Sequence, residues 1–334
     1  MEKETRHIQL GLSDDDVLNM YKTMLLARKL DERMWLLNRA GKITFVISCQ
    51  GQEAAQVGSA FALDRKIDYV APYYRDFGIV LAFGMTSRDI MLSGFAKAED
   101  PNSGGRQMPG HFGQKKNRII TGSSPVTTQV PHAVGFALSA KLKKEDFVTY
   151  TSLGDGSTNQ GDFHEALNFA GVHQLPVITV VQNNRLAISV PYEKQVASKT
   201  IAMRAQSYGM PGFIVDGNDP LAVYDVVKLA RSRAANGEGP TLIEAVTDRL
   251  TAHSSDDNDR TYRTEEEIKE AKEKDCILKF EKYLLQNDVM TEDDKNEIAE
   301  QLNDEVNEAT EYAENAPNPH VNTLHDFVYE KGSE

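Results

Sequence analysis

The sequence predicts an α/β protein built on a mainly parallel, doubly wound sheet, with a helix before it and a helical appendage after it. Three observations carry this. Short apolar, β-branched runs alternate with segments of helical periodicity through the middle of the chain. Capping residues and glycines stand where those helices should begin and end. From Thr264 onward the strand-like runs cease and charged residues dominate.

The elements follow in order. Ser13, ahead of Asp14, Asp15 and Asp16, predicts a helix start, because a hydroxyl caps free amides and acids complement the positive helix end. Val17, Met20, Met24 and Leu25 then recur at helical spacing, and Gly41 is expected to close this region after Trp35 to Ala40. Phe147 to Leu153 reads as a strand. Asp162 to Val172 reads as a helix with Phe163, Ala166, Leu167 and Ala170 on one face. Pro176 to Val181 reads as a second strand. Phe213 to Val215 is a short strand. Asp219 then caps a helix with Pro220 at its first position and Gly237 past its end. Thr241 to Val246 is a further strand, and Glu265 to Lys274 and Asp275 to Glu314 are helical. The expected organisation is a tail and helix over 1–40, an α/β domain over 41–263 and a helical region over 264–334.

A chain of 334 residues that is 40% hydrophobic can bury a full core. Its formal net charge of −13 argues against nucleic acid and anionic membranes as partners. Cys49 and Cys276 are too few and too far apart for a disulfide framework or a metal cluster, which fits a reducing compartment. Met1 to Asp16 lacks the basic start and apolar stretch of a secretory signal, and the apolar run near Val177 to Val181 is too short to span a bilayer. A cytoplasmic protein is expected, bacterial on the strength of its short N-terminus, or of the mitochondrial matrix if eukaryotic.

The chemistry concentrates after the strand ending at Leu153. Gly154-Asp155-Gly156 is followed by 26 residues and then Asn183-Asn184, just past the next strand. The glycines let the backbone turn sharply and approach a phosphate, and amides there can hold an anion. Asp155 offers a hard oxygen ligand and Asn184 a second. Mg²⁺ favours few protein oxygens plus phosphate oxygens. One crossover unit thereby places a diphosphate and its metal at two strand ends, where ligands of such sheets bind. A plain turn and a plain loop remain the alternative at this stage. A dinucleotide reading is weaker: Asn159 stands where the third glycine belongs, and Gln182 and Asn183 stand where an acid should close the next strand.

This pattern resembles the thiamine diphosphate motif, and other segments narrow the family. Gly105-Arg106-Gln107-Met108-Pro109-Gly110-His111-Phe112, Tyr74-Arg75-Asp76 and Ser123-Ser124-Pro125-Val126-Thr127-Thr128-Gln129 are similar to segments of alpha subunits of 2-oxo acid dehydrogenases. His253-Ser254-Ser255-Asp256-Asp257 through Tyr262-Arg263 resembles the branched-chain (2-oxoisovalerate) type. The resemblance runs from about Gly41 to Arg263. It implies the thiamine diphosphate-binding fold and the following roles. Asp155 and Asn184 would ligate Mg²⁺ by side chains and Leu186 by its carbonyl. Tyr74, Arg75 and His253 would approach the diphosphate and the reacting end of the cofactor. Ser124 and Val126 would meet its rings. Gly154, Gly156, Ser157 and Gln182 would complete the cofactor contacts, with His253, Tyr74 and Ser124 as the catalytic set. Ser123, Pro125, Thr128 and Gln129 match a monovalent cation site, for K⁺, and Phe45, Tyr73 and Val126 would wall the substrate pocket.

There are departures. Many branched-chain relatives have Glu where Asp155 stands, which keeps a carboxylate. Gln182 replaces a basic residue. Arg185 stands where glycine is common, a charge that would compensate at the phosphates, and Ala252 replaces a histidine beside His253. His111 and His132 are assigned no chemistry. The resemblance further implies decarboxylation of a 2-oxo acid and acyl transfer to the lipoyl group of an acyltransferase. It also implies a beta subunit, in an α₂β₂ heterotetramer, that supplies the carboxylate missing here. A pyruvate-type alpha subunit, a non-catalytic subunit and an NAD-dependent dehydrogenase are the alternatives.

Overall fold

The computed structural model describes residues 5–329. A short helix α1 (Arg6–Gln9) leads into α2 (Asp14–Arg39). Ser13 caps α2 as expected: its hydroxyl accepts from Asp16 N, and the Asp16 carboxylate accepts from Ser13 N at 2.9 Å. Val17, Met20, Met24, Ala27, Leu30 and Met34 form the buried stripe of α2, and Gly41, at φ 71°, turns the chain away.

Next come α3 (Glu53–Phe61), a three-residue strand β1 (Tyr69–Ala71), α4 (Phe77–Ala82), α5 (Ser87–Gly94) and α6 (Gln129–Lys143). The α/β unit continues with β2 (Thr149–Gly154), α7 (Gly161–His173) and β3 (Val177–Asn183). A two-strand hairpin of β4 (Leu186–Ala187) and β5 (Val190–Pro191) and a short α8 (Tyr192–Gln195) follow. Then come β6 (Gly212–Asp216), α9 (Pro220–Ala235) and β7 (Thr241–Val246). Asp219 caps α9 by accepting from Leu221 N and Ala222 N.

The main sheet has the order β1-β2-β3-β7-β6 and every pairing in it is parallel. β2 and β3 run one to two residues further than the apolar pattern indicates, ending at Gly154 and Asn183. The extension is polar, so hydropathy alone ends these strands early, while ladder hydrogen bonds carry them on. Helices cover both faces. α6 and α7 enclose one core around Phe163, Leu167, Val177 and Val181. α2, α3 and α9 enclose the other around Val57, Ile178, Val180, Val227 and Ile243. Gly58 lets α3 approach α9 closely, since a Cβ there would lie 2.5 Å from the Pro220 carbonyl oxygen.

The charged C-terminal region forms α10 (Glu265–Glu273), α11 (Cys276–Gln286) and α12 (Glu292–Asn315). Phe280, Leu284, Ile298, Val306 and Ala313 join the same core as α2 and α3, so this region buttresses the sheet domain rather than hanging from it. Residues 1–4 and 330–334 of the outer segments lie outside the described residues. No helix of the described residues is long and apolar enough to cross a membrane.

Candidate active site

The parallel register brings the motif together. Gly154, the last residue of β2, pairs with Gln182 of β3, and Asn183 pairs with Val246 of β7. Asp155 and Asn184 therefore leave neighbouring strands on the same sheet edge. They border a cavity of about 270 Å³ with Gly154, Gly156, Ser157, Leu186, Tyr73, Tyr74, Arg75, Val126 and His253. Larger cavities of about 910 and 630 Å³ exist, but neither gathers these strand ends and loops. A Cβ at Gly154 would meet nothing within 4 Å, whereas one at Gly156 would lie 2.6 Å from the Ala187 Cβ. Gly154 thus leaves open space beside the cavity, and Gly156 seats the loop against the β4–β5 hairpin.

Asp155 is 1% exposed. Burial pushes its carboxyl up, opposed by a hydrogen bond from Gln195. Gln195 Nε2 donates to Asp155 Oδ2 at 2.6 Å, and among the described residues no cation forms an ion pair with this carboxyl. A buried carboxyl lacking a matched charge, on a lining shared with Asn184, whose Oδ1 accepts from Leu186 N at 3.1 Å, and with Leu186, suits a hard cation completed by phosphate oxygens. Among the described residues no group of three His, Cys, Asp or Glu is placed to hold a metal.

Arg75, 2% exposed, spans from the core to the cavity. Its Nη1 donates to the Ser48 carbonyl, and its Nη2 lies 3.3 Å from His253 Nδ1. A guanidinium only donates, so His253 Nδ1 accepts and its proton sits on Nε2. Burial, then Arg75 and Arg249, hold the His253 pKa down at about 4, so the ring is neutral near pH 7. The Tyr74 ring stands edge-on to His253, with centroids 6.3 Å apart, and the Arg75 guanidinium lies 5.3 Å from the Tyr74 centroid.

The loop carrying His253 is tied by the chain itself. His253 N donates to Asp257 Oδ2 at 2.7 Å, and the Tyr262 hydroxyl donates to the same oxygen. Arg249 Nη2 donates to that hydroxyl at 2.8 Å. Ser255 N donates to the Val46 carbonyl at 2.8 Å, and Val46 N to Ser255 Oγ at 3.1 Å. Asp259 pairs with Arg263 at 3.2 Å, while Asp257 reaches Arg249 only through Tyr262.

The Ser123–Gln129 segment closes the other side. The hydroxyls of Ser123 and Thr128 contact each other and both approach the Pro125 carbonyl, at 3.3 and 3.0 Å. Gln129 Nε2 donates to the Ser152 carbonyl at 2.8 Å, tying this segment to β2. Ser124 and Val126 are exposed at the rim.

Three expectations change. Gln182 does not line the cavity: it is fully buried, donating to Asp76 Oδ1 at 2.5 Å and accepting from Tyr73 and Gln56. Its role is to hold the floor, because a strand residue pointing inward cannot also face the edge. Phe45 does not line the cavity either; Ile47, two residues on, does. Arg185 is also absent from the lining. Its φ of 65° is left-handed, a conformation that glycine adopts without strain. His111, assigned no chemistry, is hydrogen-bonded: its Nδ1 lies 2.8 Å from the Met108 carbonyl oxygen and its Nε2 2.8 Å from Ser124 Oγ. Nothing in the spacing of His111 marks that contact. The lining residues Ala187 and Ile188 also escape sequence reading, since the hairpin that presents them has two-residue strands.

Comparison with known proteins agrees with this geometry. Residues 21–322 match the family described as the dehydrogenase E1 component. The chain is 63% identical over 326 residues to the 2-oxoisovalerate dehydrogenase subunit alpha of Bacillus subtilis (strain 168), covering 98% of this chain and 99% of that protein. It is 39% identical over 321 residues to the pyruvate dehydrogenase E1 component subunit alpha of Bacillus cereus, covering 96% and 84%. It is 38% identical over 320 residues to the same subunit of Staphylococcus aureus (strain MRSA252), again covering 96% and 84%. On this shared sequence, nearly end to end, the chain belongs to the dehydrogenase E1 component family.

Proposed function

We propose that this chain is the alpha subunit of a branched-chain 2-oxo acid dehydrogenase, acting on 2-oxoisovalerate and its kin with thiamine diphosphate and Mg²⁺. The observation that carries the reading is the convergence of Asp155, Asn184, Gly156, Arg75 and His253 on one cavity at the carboxyl edge of a parallel sheet. Residues 41–263 carry the site, and the described residues 5–40 and 264–329 support it. When bound, the cofactor would supply an electron sink for the pair left on the 2-carbon when the bond to the carboxyl carbon breaks and carbon dioxide leaves.

The chain's own residues do the rest. Asp155, Asn184 and the Leu186 carbonyl hold the metal. Gly154, Gly156 and Ser157 present backbone to the diphosphate, and Arg75 supplies positive charge. His253, neutral with its proton on Nε2, donates a hydrogen bond toward oxygen that gains negative charge during reaction. Tyr74, Ser124 and Val126 orient the rings, and Tyr73 and Val126 wall the apolar side. The convergent oxygens of Ser123, Pro125 and Thr128, with Gln129 anchored beside them, support a monovalent cation such as K⁺ at that loop.

Asp155 is the only carboxylate on the cavity lining, and it is committed to the metal. A second carboxylate would be needed to hydrogen-bond the cofactor's pyrimidine ring. That absence supports a beta subunit as the source, in an α₂β₂ heterotetramer, with a lipoyl-bearing acyltransferase as acyl acceptor. The exposure of Ser124 and Val126 supports a partner covering the rim.

The 63% identity to a 2-oxoisovalerate dehydrogenase subunit, against 39% to a pyruvate one, favours branched substrates. The test is kcat/KM of the chain assembled with its beta subunit. 2-Oxoisovalerate is expected to exceed pyruvate by about 10-fold or more, the scale on which an apolar pocket separates one or two carbons. A higher value for pyruvate overturns the branched-chain assignment. No cofactor-dependent carbon dioxide release from either overturns the function.

A further inference from the structure

Asp31 lies on the buried stripe of α2, four residues after Ala27 and three before Met34, and is fully buried. A carboxyl at such a position demands an explanation, because its desolvation is costly without partners. Its Oδ2 accepts from Ser48 Oγ at 2.6 Å, and its Oδ1 has no hydrogen-bond partner. Ser48 is also the residue whose carbonyl accepts from Arg75 Nη1. The contacts thus run from Asp31 through Ser48 to Arg75 and on to His253 Nδ1.

The charges around Asp31 are few. On its own helix is Arg28, which is already paired with Glu53 of α3 at 2.6 Å and Asp275 ahead of α11 at 2.8 Å. From the segment before α3 come Cys49 and the Gln50 side chain, and from the loop after β1 comes Arg75. Two guanidinium groups are therefore outnumbered by carboxyl groups in a dry interior. With Arg28 shared by Glu53 and Asp275, Asp31 has only Arg75 to answer it, and Arg75 also faces the buried Asp76, whose carboxyl is instead held by hydrogen bonds from Ser152, Gln182 and Tyr73 N. An anion arriving at Arg75 from the cavity side competes with Asp31 for the same positive charge.

We propose that Asp31 is a positioning residue that sets Arg75 through Ser48, and that it takes up a proton from solvent when an anionic group docks on Arg75. The inference rests on the reading of the cavity as a diphosphate site. The environment agrees: burial, with the nearby Glu53, raises the Asp31 carboxyl to about 7, opposed by the hydrogen bond from Ser48 and the nearby Gln50 side chain, so it titrates near neutrality. A further negative charge at Arg75 raises it more. Binding above neutrality then draws in a proton, and affinity falls as pH rises.

The experiment is calorimetric titration of thiamine diphosphate with Mg²⁺ into the complete heterotetramer, in two buffers of different ionisation enthalpy. Wild type is expected to take up part of a proton and to weaken about fivefold or more between about pH 6.5 and about pH 8.5. Asp31→Asn keeps the shape and the acceptor for Ser48 but removes the charge. It should lose that proton uptake and weaken by about twofold or less over the same range. Ser48→Ala removes only the donor to Asp31, so the carboxyl pKa rises and the proton uptake should move to higher pH. This second variant decides the matter should Asp31→Asn fail to assemble. Proton exchange and pH slope identical to wild type in the variants that assemble would show a merely structural acid and overturn the inference alone. No binding by the wild-type heterotetramer would overturn the reading of the site, and this inference with it.

Discussion

Two regions build the two sides of this cavity by different means. The edge carrying Asp155 and Asn184 is placed by the sheet: parallel register fixes both residues, and β2 and β3 are buried along almost their whole length. The loop carrying His253 is placed by side chains, through Asp257, Tyr262, Arg249 and the Val46–Ser255 contacts. The first depends on the main core, and the second on a handful of hydrogen bonds. Binding should therefore reside in the strand edge, and the loop should tune chemistry while opening more easily.

The largest expected effect falls on the strand edge. On the proposed reading, Asp155→Ala should abolish Mg²⁺-dependent binding of thiamine diphosphate in the assembled enzyme, because it removes the one carboxylate among the described lining residues from a partly dry site. Calorimetry checks this, and near wild-type affinity would remove Asp155 from the metal site.

His253→Ala probes the loop side. Turnover at saturating cofactor should fall about 10²-fold or more, while cofactor affinity changes little. Collapse of affinity with unchanged turnover would make His253 a clamp and erase the contrast between the two regions. The pKa of about 4 adds a stability signature. A histidine depressed in the folded state is neutral there while the unfolded chain already binds a proton. Its contribution is therefore lost as pH falls from about 6.5 toward about 4. His253→Gln should lose less denaturant resistance than wild type across that window, provided the assembly is otherwise intact.

The smallest effect is expected at Tyr262→Phe. Losing the hydroxyl between Arg249 and Asp257 should cost roughly 1 kcal/mol, local to the loop. Limited proteolysis near Ala252 to Arg260 should quicken while Mg²⁺-dependent binding stays near wild type. Equal weakening of both would mean the two sides are coupled more tightly than their construction suggests.

The same contrast explains what the sequence made legible. β2, β3 and β7 announce themselves by β-branched apolar runs, and once they are parallel neighbours Asp155 and Asn184 must meet. Tyr74, Arg75 and His253 came from resemblance rather than pattern, since only tertiary contacts bring Arg75 to His253 across 178 positions. Gln182 was misplaced because the pattern locates a strand end but not which way its last side chains point. Phe45 lost its place to Ile47 because 44–50 forms no regular element whose period would assign a face. α3 escaped notice because small and polar residues, Glu53, Gln56 and Ser59 among them, are buried along it and blur any apolar stripe. Asp31 did leave a signal, an acid on the apolar stripe of α2, but its partner Ser48 lies outside any element that spacing reveals.

The central claim is that this chain holds the metal and diphosphate while a second chain completes the chemistry. Carbon dioxide release from 2-oxoisovalerate, with thiamine diphosphate, Mg²⁺ and an artificial electron acceptor, tests it with the chain alone and with its beta subunit. The account predicts turnover only with both chains present. Full turnover by this chain alone would contradict it.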